Sequence, residues 1–293
     1  FLAMLHKNKI AAIVTEKGGE TSHTTILARS LGIPAVVGIG NICNLVKSGE
    51  TLLVDGKTGF IFSNPDKDLV LEYENAYRNL ARLKEVIERE EADTHDTSTS
   101  IKLTANIGFP ADIEVAKQYH LKDVGLFRTE FAFAQYSRWP GIQEQIKIYE
   151  DLARQFEGYI TIRTLDIGAD KLLPYFNFPN EANPLLGLRF SMEYLDLFED
   201  QIRAILLTAK KGYCFRILLP MVSNVWEVET TREILERLGT EIEIPHTELP
   251  LLGIMMEVPA VLHQLDDYKD IIDFVSIGTN DLTQYLLAVD RNS

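Results

Sequence analysis

The pattern of apolar and polar positions divides the chain into a short first region and a longer second one. Up to about residue 63, short apolar runs alternate with one helical segment and end in a hairpin pattern at 51–62. An Asn-Pro-Asp sequence then predicts a helix start, and apolar residues recur in steps of three and four from Leu69 to Ile87. We expect an α/β region at 1–63, followed at 64–100 by a connecting helix and linker. An ordinary amphipathic helix packed on its own domain is the alternative.

The second region, 101–293, repeats a strand-like apolar run followed by an amphipathic segment. An example of such a segment is Trp226–Leu238. Repeated strand-helix units predict a parallel sheet covered by helices, either doubly wound or barrel-shaped. The predicted strands are Ile101–Ile107, Val124–Phe127, Tyr159–Arg163, Phe215–Leu219, Leu251–Met256 and Ile272–Ile277.

The positions of polar residues favour the barrel. Five of them lie at or just after the carboxyl ends of four different predicted strands: Arg128, Arg163, Glu257, Asn280 and Asp281. A β/α barrel collects ligand-binding residues from all round this rim, whereas an open sheet concentrates them at one switch point. We therefore predict a TIM-type barrel at 101–293. Such a barrel has eight units. The six units here, and the start at Phe1 in mid-pattern, lead us to expect a fragment that lacks the barrel's last units and part of the first domain.

Composition narrows the function classes. With 46% hydrophobic and 25% charged residues, the chain has enough apolar material for a folded core. The net charge of −14 argues against nonspecific binding to nucleic acid or anionic membranes. The chain contains no membrane-length apolar run and no signal peptide, so we expect a cytoplasmic protein. Cys43 and Cys214 have no metal-type spacing and are predicted to be reduced and structural.

The segment Gly18–Arg29 places one histidine where a phosphoryl group could be taken up. After two glycines, Thr21 or Ser22 can cap a helix, and His23 falls in its first turn. Unpaired N–H groups and the helix dipole disfavour the protonated imidazole there and attract a phosphate. A neutral imidazole is a nucleophile, so His23 is predicted to be a phosphate carrier. The alternative is that His23 is a partly exposed histidine near a helix cap with no catalytic role.

Three arginines and two carboxylates form the other candidate constellation. Arg128, Arg163 and Arg189 follow predicted strands or lie in their loops, and the 165–196 segment is predicted to be a long active-site loop. Together, these arginines would supply the permanently charged hydrogen-bond donors that a phosphoryl group needs. Each arginine alone could instead be a surface or ion-pairing residue. Glu257 and Asp281 are a typical pair of carboxylates for Mg²⁺. Asn280 and Asp281 could equally cap the next helix.

Taken together, these motifs resemble a known family. The segment around His23 resembles the phosphohistidine segment of phosphoenolpyruvate (PEP)-utilising enzymes, and the sequence after residue 101 resembles that of their PEP-binding barrel. The family includes Enzyme I of the sugar phosphotransferase system, its nitrogen-type paralogue, pyruvate phosphate dikinase and PEP synthase. The ending Leu287–Arg291 is similar to Enzyme I, and Thr164–Lys171 leans toward the nitrogen-type branch. The barrel segments are Ala105–Gly108, Val124–Phe131, Ile162–Lys171, Asn183–Arg189, Leu219–Met221, Gly253–Pro259 and Ser276–Arg291.

The resemblance implies a PEP-protein phosphotransferase with a mobile phosphohistidine domain, and a role for each candidate residue. His23 would accept the phosphoryl group, and Glu257 and Asp281 would bind Mg²⁺. The substrate would be held by Arg128, Arg163, Arg189, Asn280, Asp281 and Arg291. The implied partners are a phosphocarrier protein, either HPr or its nitrogen-type homologue, and a second copy in a homodimer. The family's catalytic cysteine lies beyond this chain, so we expect the fragment to retain PEP contacts without the full reaction.

Two other functional classes remain open. A dikinase or synthase would exchange the phosphate of His23 with a nucleotide, but no glycine-rich phosphate loop with a lysine is present. A regulatory phosphoprotein would only sense PEP, and the intact arginines, carboxylates and histidine argue against it.

Overall fold

The computed structural model describes residues 10–18, 28, 32–78, 101–167, 173, 175–176 and 185–289. The chain divides into two compact units, Phe1–Lys102 and Leu103–Ser293. The finer boundaries predicted at residues 63 and 100 stay a prediction. Within the residues described, no helix combines the length and apolar character that crossing a bilayer requires.

The smaller unit contains two short strand pairs. Strands β1 (Ile13–Val14) and β2 (Ala35–Val36) pair in parallel. After a short helix, α1 (Ile42–Leu45), strands β3 (Leu52–Val54) and β4 (Ile61–Ser63) pair antiparallel. The predicted hairpin is therefore confirmed.

Asp55 organises the turn of this hairpin. Its carboxylate accepts hydrogen bonds from the backbone N–H groups of Lys57 and Thr58, and the Tyr73 hydroxyl donates to it across 3.1 Å. Hydrogen bonds from Thr58 and Lys57 lower the pKa of Asp55 to about 2. Tyr73 belongs to a helical stretch that begins at residue 67. The hydroxyl contact therefore ties this helix to the hairpin.

The helix start predicted at Asn-Pro-Asp is confirmed. Residues 67–78 are helical, and the Asp66 carboxylate accepts a hydrogen bond from the Leu69 N–H at 2.8 Å, which caps the first turn. The predicted continuation to Ile87 and the linker after it lie outside the described residues.

The larger unit is built on a six-stranded parallel sheet with its strands in sequence order. Sequential order is typical of a β/α barrel, whereas a doubly wound sheet reverses direction at a switch point. The predicted barrel-type α/β fold is therefore confirmed. The strands are β5 (Ala105–Ile107), β6 (Val124–Arg128), β7 (Ile160–Arg163), β8 (Phe215–Leu219), β9 (Leu251–Met256) and β10 (Phe274–Ile277).

Helices pack against this sheet and enclose a large apolar core, and a smaller apolar cluster includes Phe133, Leu165 and Phe190. Fully buried Ile160 in β7 belongs to the same cluster as Ile202 and Leu235 from two long helices. The segment predicted at Trp226–Leu238 forms a longer helix, which runs from Val225 to Ile242. Its start is capped, because Glu227 accepts hydrogen bonds from the backbone N–H groups of Ser223 and Asn224. The helices are α2 (Pro110–Gln118), α3 (Thr129–Phe133), α4 (Ile142–Ala153), α5 (Leu188–Glu193), α6 (Leu195–Ala209), α7 (Val225–Ile242), α8 (Pro259–Leu262), α9 (Leu265–Tyr268) and α10 (Thr279–Leu287).

The segment after β7 differs from the long loop predicted at 165–196. Helix α5 occupies Leu188–Glu193, and α6 begins at Leu195. Leu188 and Phe190 are buried, and the Tyr194 N–H donates to the Phe190 carbonyl four positions earlier at 3.0 Å, as in a helix. The loop prediction was therefore wrong from residue 188 onward.

Both cysteines carry free thiols, as predicted. Cys43 and Cys214 are exposed, so neither contributes to an apolar core as the structural interpretation required.

Candidate functional site

The carboxyl ends of the parallel strands bring most of the predicted polar residues to one rim. Arg128 and Arg163 end neighbouring strands β6 and β7 and are paired in register. Glu257 directly follows β9, and Asn280 and Asp281 lie in the first turn of α10 after β10. These positions confirm the strand-end prediction.

Arg189 reaches the site by another route, because it lies on α5 rather than at a strand end. The helix begins after Gly187, which has a positive φ of 49° and donates its N–H to the Ile167 carbonyl at 3.0 Å. A Cβ on Gly187 would lie 2.8 Å from the Met221 Cβ, so a larger residue would push this segment away from β8. The glycine therefore allows the close approach that places Arg189.

Arg163 is held between two buried carboxylates. Its Nη2 lies 2.5 Å from Glu130 Oε1 and 2.9 Å from Asp166 Oδ2, and all three side chains are at most 6% exposed. Burial by itself would lower the pKa of Arg163, but Glu130, Asp166 and Glu257 outweigh it and raise that pKa above its usual value. Arg163 is therefore a permanent cation in a defined orientation.

A buried polar network supports the backbone around Arg163. The Thr129 hydroxyl donates to the Arg163 carbonyl at 3.0 Å, and Gln201 Oε1 accepts from the Leu165 N–H at 3.1 Å. The Gln201 amide also donates to the Tyr149 hydroxyl at 3.4 Å. Satisfying these buried groups fixes the course of the chain where β7 ends.

The three arginines share an unusual feature. The Nε atoms of Arg128, Arg163 and Arg189 are buried, and none has a hydrogen-bond partner among the described residues. An unsatisfied buried donor costs about 1–3 kcal/mol, and more when the group is charged. Three such donors on one rim are what an oxyanion with several acceptor oxygens would satisfy.

Glu257 is a further buried carboxylate of the rim, with only 1% of its surface exposed. Burial raises its pKa to about 7, although Oε1 accepts a hydrogen bond from the Met221 N–H at 2.8 Å. Asp166 and Asp281 raise that pKa further, and Arg163 lowers it. A Cβ on Gly278 would lie 2.7 Å from Glu257 Oε2, so glycine is needed where the turn into α10 passes this carboxylate.

The donor set fits a hard divalent cation. Glu257 and Asp281 are mutually repelling carboxylates, and a cation between them would relieve that repulsion. In the described part of the chain, no group of three or more histidine, cysteine or acidic side chains forms a self-sufficient metal site. Two carboxylates with substrate oxygens and water are the usual arrangement for Mg²⁺.

Two predicted residues are not placed. His23 and Arg291 lie outside the described residues, so their roles stay predictions. Asn280 is exposed in the first turn of α10. Conversely, Glu130 and Asp166 were missed as partners of Arg163. Their closeness in sequence to Arg128 and Arg163 was the signal that could have found them.

A barrel-type sheet with buried guanidinium donors and a carboxylate pair on its carboxyl-end rim is typical of enzymes that bind phosphorylated ligands. Residues 82–293 match the family described as PEP-utilising enzyme, PEP-binding domain, and residues 1–59 match PEP-utilising enzyme, mobile domain. The chain belongs to the PEP-utilising enzyme family.

Curated relatives agree with this assignment. The chain is 37% identical to a phosphoenolpyruvate-protein phosphotransferase of Staphylococcus carnosus, over 99% of this chain and 52% of that protein. It is 38% identical to a protein of the same name in Haloferax volcanii, with the same coverage. A multiphosphoryl transfer protein of Xanthomonas campestris is 39% identical over 99% of this chain and 35% of its own length. The chain thus spans about half the length of the first two relatives.

Proposed function

We propose that the complete protein that contains this chain carries out PEP-dependent phosphotransfer, in which the phosphoryl group of PEP moves to His23 and then to a histidine of a phosphocarrier protein, and that the chain alone retains PEP contacts without the full reaction. The observation that carries the proposal is the set of three buried Nε donors of Arg128, Arg163 and Arg189 without a partner among the described residues. A phosphoryl group has oxygens for all three. The names of the relatives support transfer to a protein rather than to a nucleotide.

In this reaction an imidazole nitrogen of His23 attacks phosphorus, and the bond from phosphorus to the enol oxygen breaks. The electron pair leaves with enolpyruvate, which becomes pyruvate after it gains a proton on carbon. The arginines hold the phosphoryl oxygens and stabilise their charge during the transfer. Arg163 needs little reorganisation, because Glu130 and Asp166 already fix its guanidinium group. Mg²⁺ held by Glu257 and Asp281 would supply further neutralisation of phosphoryl charge, and the substrate carboxylate would lie near Asn280 and Arg291.

The proposed arrangement is a mobile phosphohistidine domain at 1–63, a connecting helix at 64–100 and the PEP-binding barrel at 101–293. His23 lies in the part that matches the mobile domain. It would have to move between the barrel and the phosphocarrier, for which a domain on a connecting helix is suited. We further propose a cytoplasmic homodimer that serves the phosphotransferase system, with HPr or its nitrogen-type homologue as acceptor.

Transfer of label from PEP tests the proposal on the complete protein that contains this chain. With ³²P-labelled PEP and Mg²⁺, we expect one labelled histidine and loss of that label in His23→Ala. His246→Ala is the matched control, because His246 is an exposed histidine whose partner is Glu236 on the protein surface. Strong labelling that persists in His23→Ala would contradict the proposed acceptor. Labelling that requires ATP instead of PEP would favour a dikinase.

A further inference from the structure

Arg128 and Arg163 end neighbouring strands, yet their charges are held in different ways. Arg163 forms ion pairs with Glu130 and Asp166. Arg128 forms no hydrogen bond or ion pair with any residue in the described ranges, and its Nε is buried without a partner. Partial burial lowers the pKa of Arg128. A half-buried guanidinium group without a carboxylate partner needs some other feature to hold it in place.

The nearby carboxylates each have a partner other than Arg128, although Glu130 Oε2 is buried without a hydrogen-bond partner in the described ranges. Glu130 and Asp112 both act electrostatically on Arg128. Glu130 Oε1, however, lies 2.5 Å from Arg163 Nη2. Asp112 Oδ2 accepts hydrogen bonds from the backbone N–H groups of Gly108 and Phe109, each at 2.8 Å, at the start of α2. These carboxylates make the electrostatic potential around Arg128 more negative, which favours its charged form, but they accept no hydrogen bond from its N–H groups within the described ranges.

An aromatic pair takes the place of a carboxylate. Arg128 Cζ lies 4.6 Å from the ring centroid of Phe131, and that ring lies 4.4 Å from the ring of Phe109. A Cβ on Gly108 would lie 2.8 Å from Arg128 Nη2 and 3.1 Å from the Phe131 ring. Gly108, Phe109 and Phe131 thus form an aromatic seat with just enough room for the guanidinium group.

The chemistry of this seat differs from that of an ion pair. A ring face attracts the guanidinium cation through its quadrupole, whereas a carboxylate binds the N–H groups directly. We propose that Phe131, supported by Phe109 and Gly108, is a positioning residue that orients Arg128 and leaves its N–H groups free for the substrate phosphoryl group. This inference rests on the proposed function, because it assigns how one arginine of that site is prepared for PEP.

A double-mutant cycle on PEP affinity tests the inference. PEP binding in the presence of Mg²⁺ is measured by calorimetry on the complete protein that contains this chain. Phe131→Leu removes the ring and keeps an apolar side chain, and we expect it to weaken PEP binding roughly tenfold. Phe131→Tyr retains the ring face and is expected to bind within about twofold of wild type. In an Arg128→Ala background, Phe131→Leu is expected to have no further effect.

The outcomes separate the inference from the proposed function. If wild type does not bind PEP, both are overturned. If wild type binds and Phe131→Leu weakens binding equally with and without Arg128, Phe131 acts only on the fold and the inference alone fails. Unchanged affinity in Phe131→Leu would also overturn it. Gly108→Ala is a second variant, expected to weaken binding because its Cβ intrudes on Arg128, and wild-type affinity in it would contradict the proposed seat.

Discussion

Replacing Arg163 with methionine removes a cation that two buried carboxylates share. Methionine keeps a long, flexible side chain but cannot compensate Glu130 and Asp166, which are 6% and 3% exposed in their side chains. Removing one partner of a buried ion pair costs about 3–5 kcal/mol, because the remaining charge stays buried and uncompensated. Two carboxylates remain here, so we expect a loss within this range at pH 8.

The loss should depend on pH in a defined direction. Arg163 lowers the pKa of Glu257, which burial nevertheless raises to about 7 in the folded protein from its ordinary value of 4.5. Without Arg163 that pKa rises further, so the folded state binds a proton more tightly than the unfolded state. Such a group stabilises the fold at low pH and loses that contribution as pH rises through the folded pKa. The deficit of Arg163→Met should therefore be larger at pH 8 than at pH 5.

Tryptophan fluorescence in a urea titration measures this loss in the larger unit alone, because the chain's two tryptophans, Trp139 and Trp226, both lie there. The matched control is Arg237→Met. Arg237 forms an exposed pair with Glu199, also at 2.5 Å, and losing it should cost no more than about 1 kcal/mol. A loss in Arg163→Met no larger than in the control would contradict the role of Arg163 in compensating the buried carboxylates. A loss independent of pH would contradict its effect on the pKa of Glu257.

Three further predictions concern single contacts. Gly278→Ala places a Cβ 2.7 Å from Glu257 Oε2, and the overpacking should cost about 1–3 kcal/mol in urea unfolding; unchanged stability would contradict this contact. Gln201→Leu leaves the buried Leu165 N–H without its acceptor and should cost about 1–3 kcal/mol by tryptophan fluorescence, whereas a neutral result would show that the network adapts. Because the pKa of Asp55 is lowered to about 2, its stabilising contribution is present above about pH 4 and is lost toward pH 2. Asp55→Asn should therefore be less stable than wild type at pH 6 in calorimetry, with a difference that vanishes near pH 2; a constant difference would contradict the assignment.

The sequence predicted the central strands best. The bounds of β8 and β9 agree with the prediction, because strands covered on both faces are continuous apolar runs. The outer strands begin later than predicted, β5 at Ala105 and β10 at Phe274. Among the described strands, each is paired on one side only, so its apolar ends are not fixed by pairing. Ile101, before β5, is 78% exposed.

The candidate site was predictable where it follows from strand ends. Arg128, Arg163 and Glu257 could be placed because the carboxyl ends of parallel strands meet at one rim. The partners of Arg163 could have been sought among the acidic residues near it in sequence, but the pattern does not say which of them its guanidinium group faces. Contacts between distant segments could not be predicted: the contact of Gln201 with Leu165 joins residues that are 36 positions apart.

Helix α5 was missed for a different reason. The Pro, Asn and Gly content before residue 188 indicated a loop, and composition averaged over the segment concealed the apolar residues that α5 buries. The helix begins after Gly187, which has a positive φ and leaves no room for a Cβ beside Met221. Such a contact is visible only once both segments are folded.

The most direct test of phosphoryl binding at the rim observes the three buried Nε–H groups that have no partner among the described residues. The Nε–H signals of Arg128, Arg163 and Arg189 can be recorded by ¹H–¹⁵N NMR and assigned with single arginine-to-lysine variants. On adding PEP with Mg²⁺, we predict saturable shifts and slower hydrogen exchange at all three signals, with Arg237 as an exposed reference that does not respond. Saturable PEP binding that leaves these three signals unchanged would contradict the claim that the rim holds the phosphoryl group.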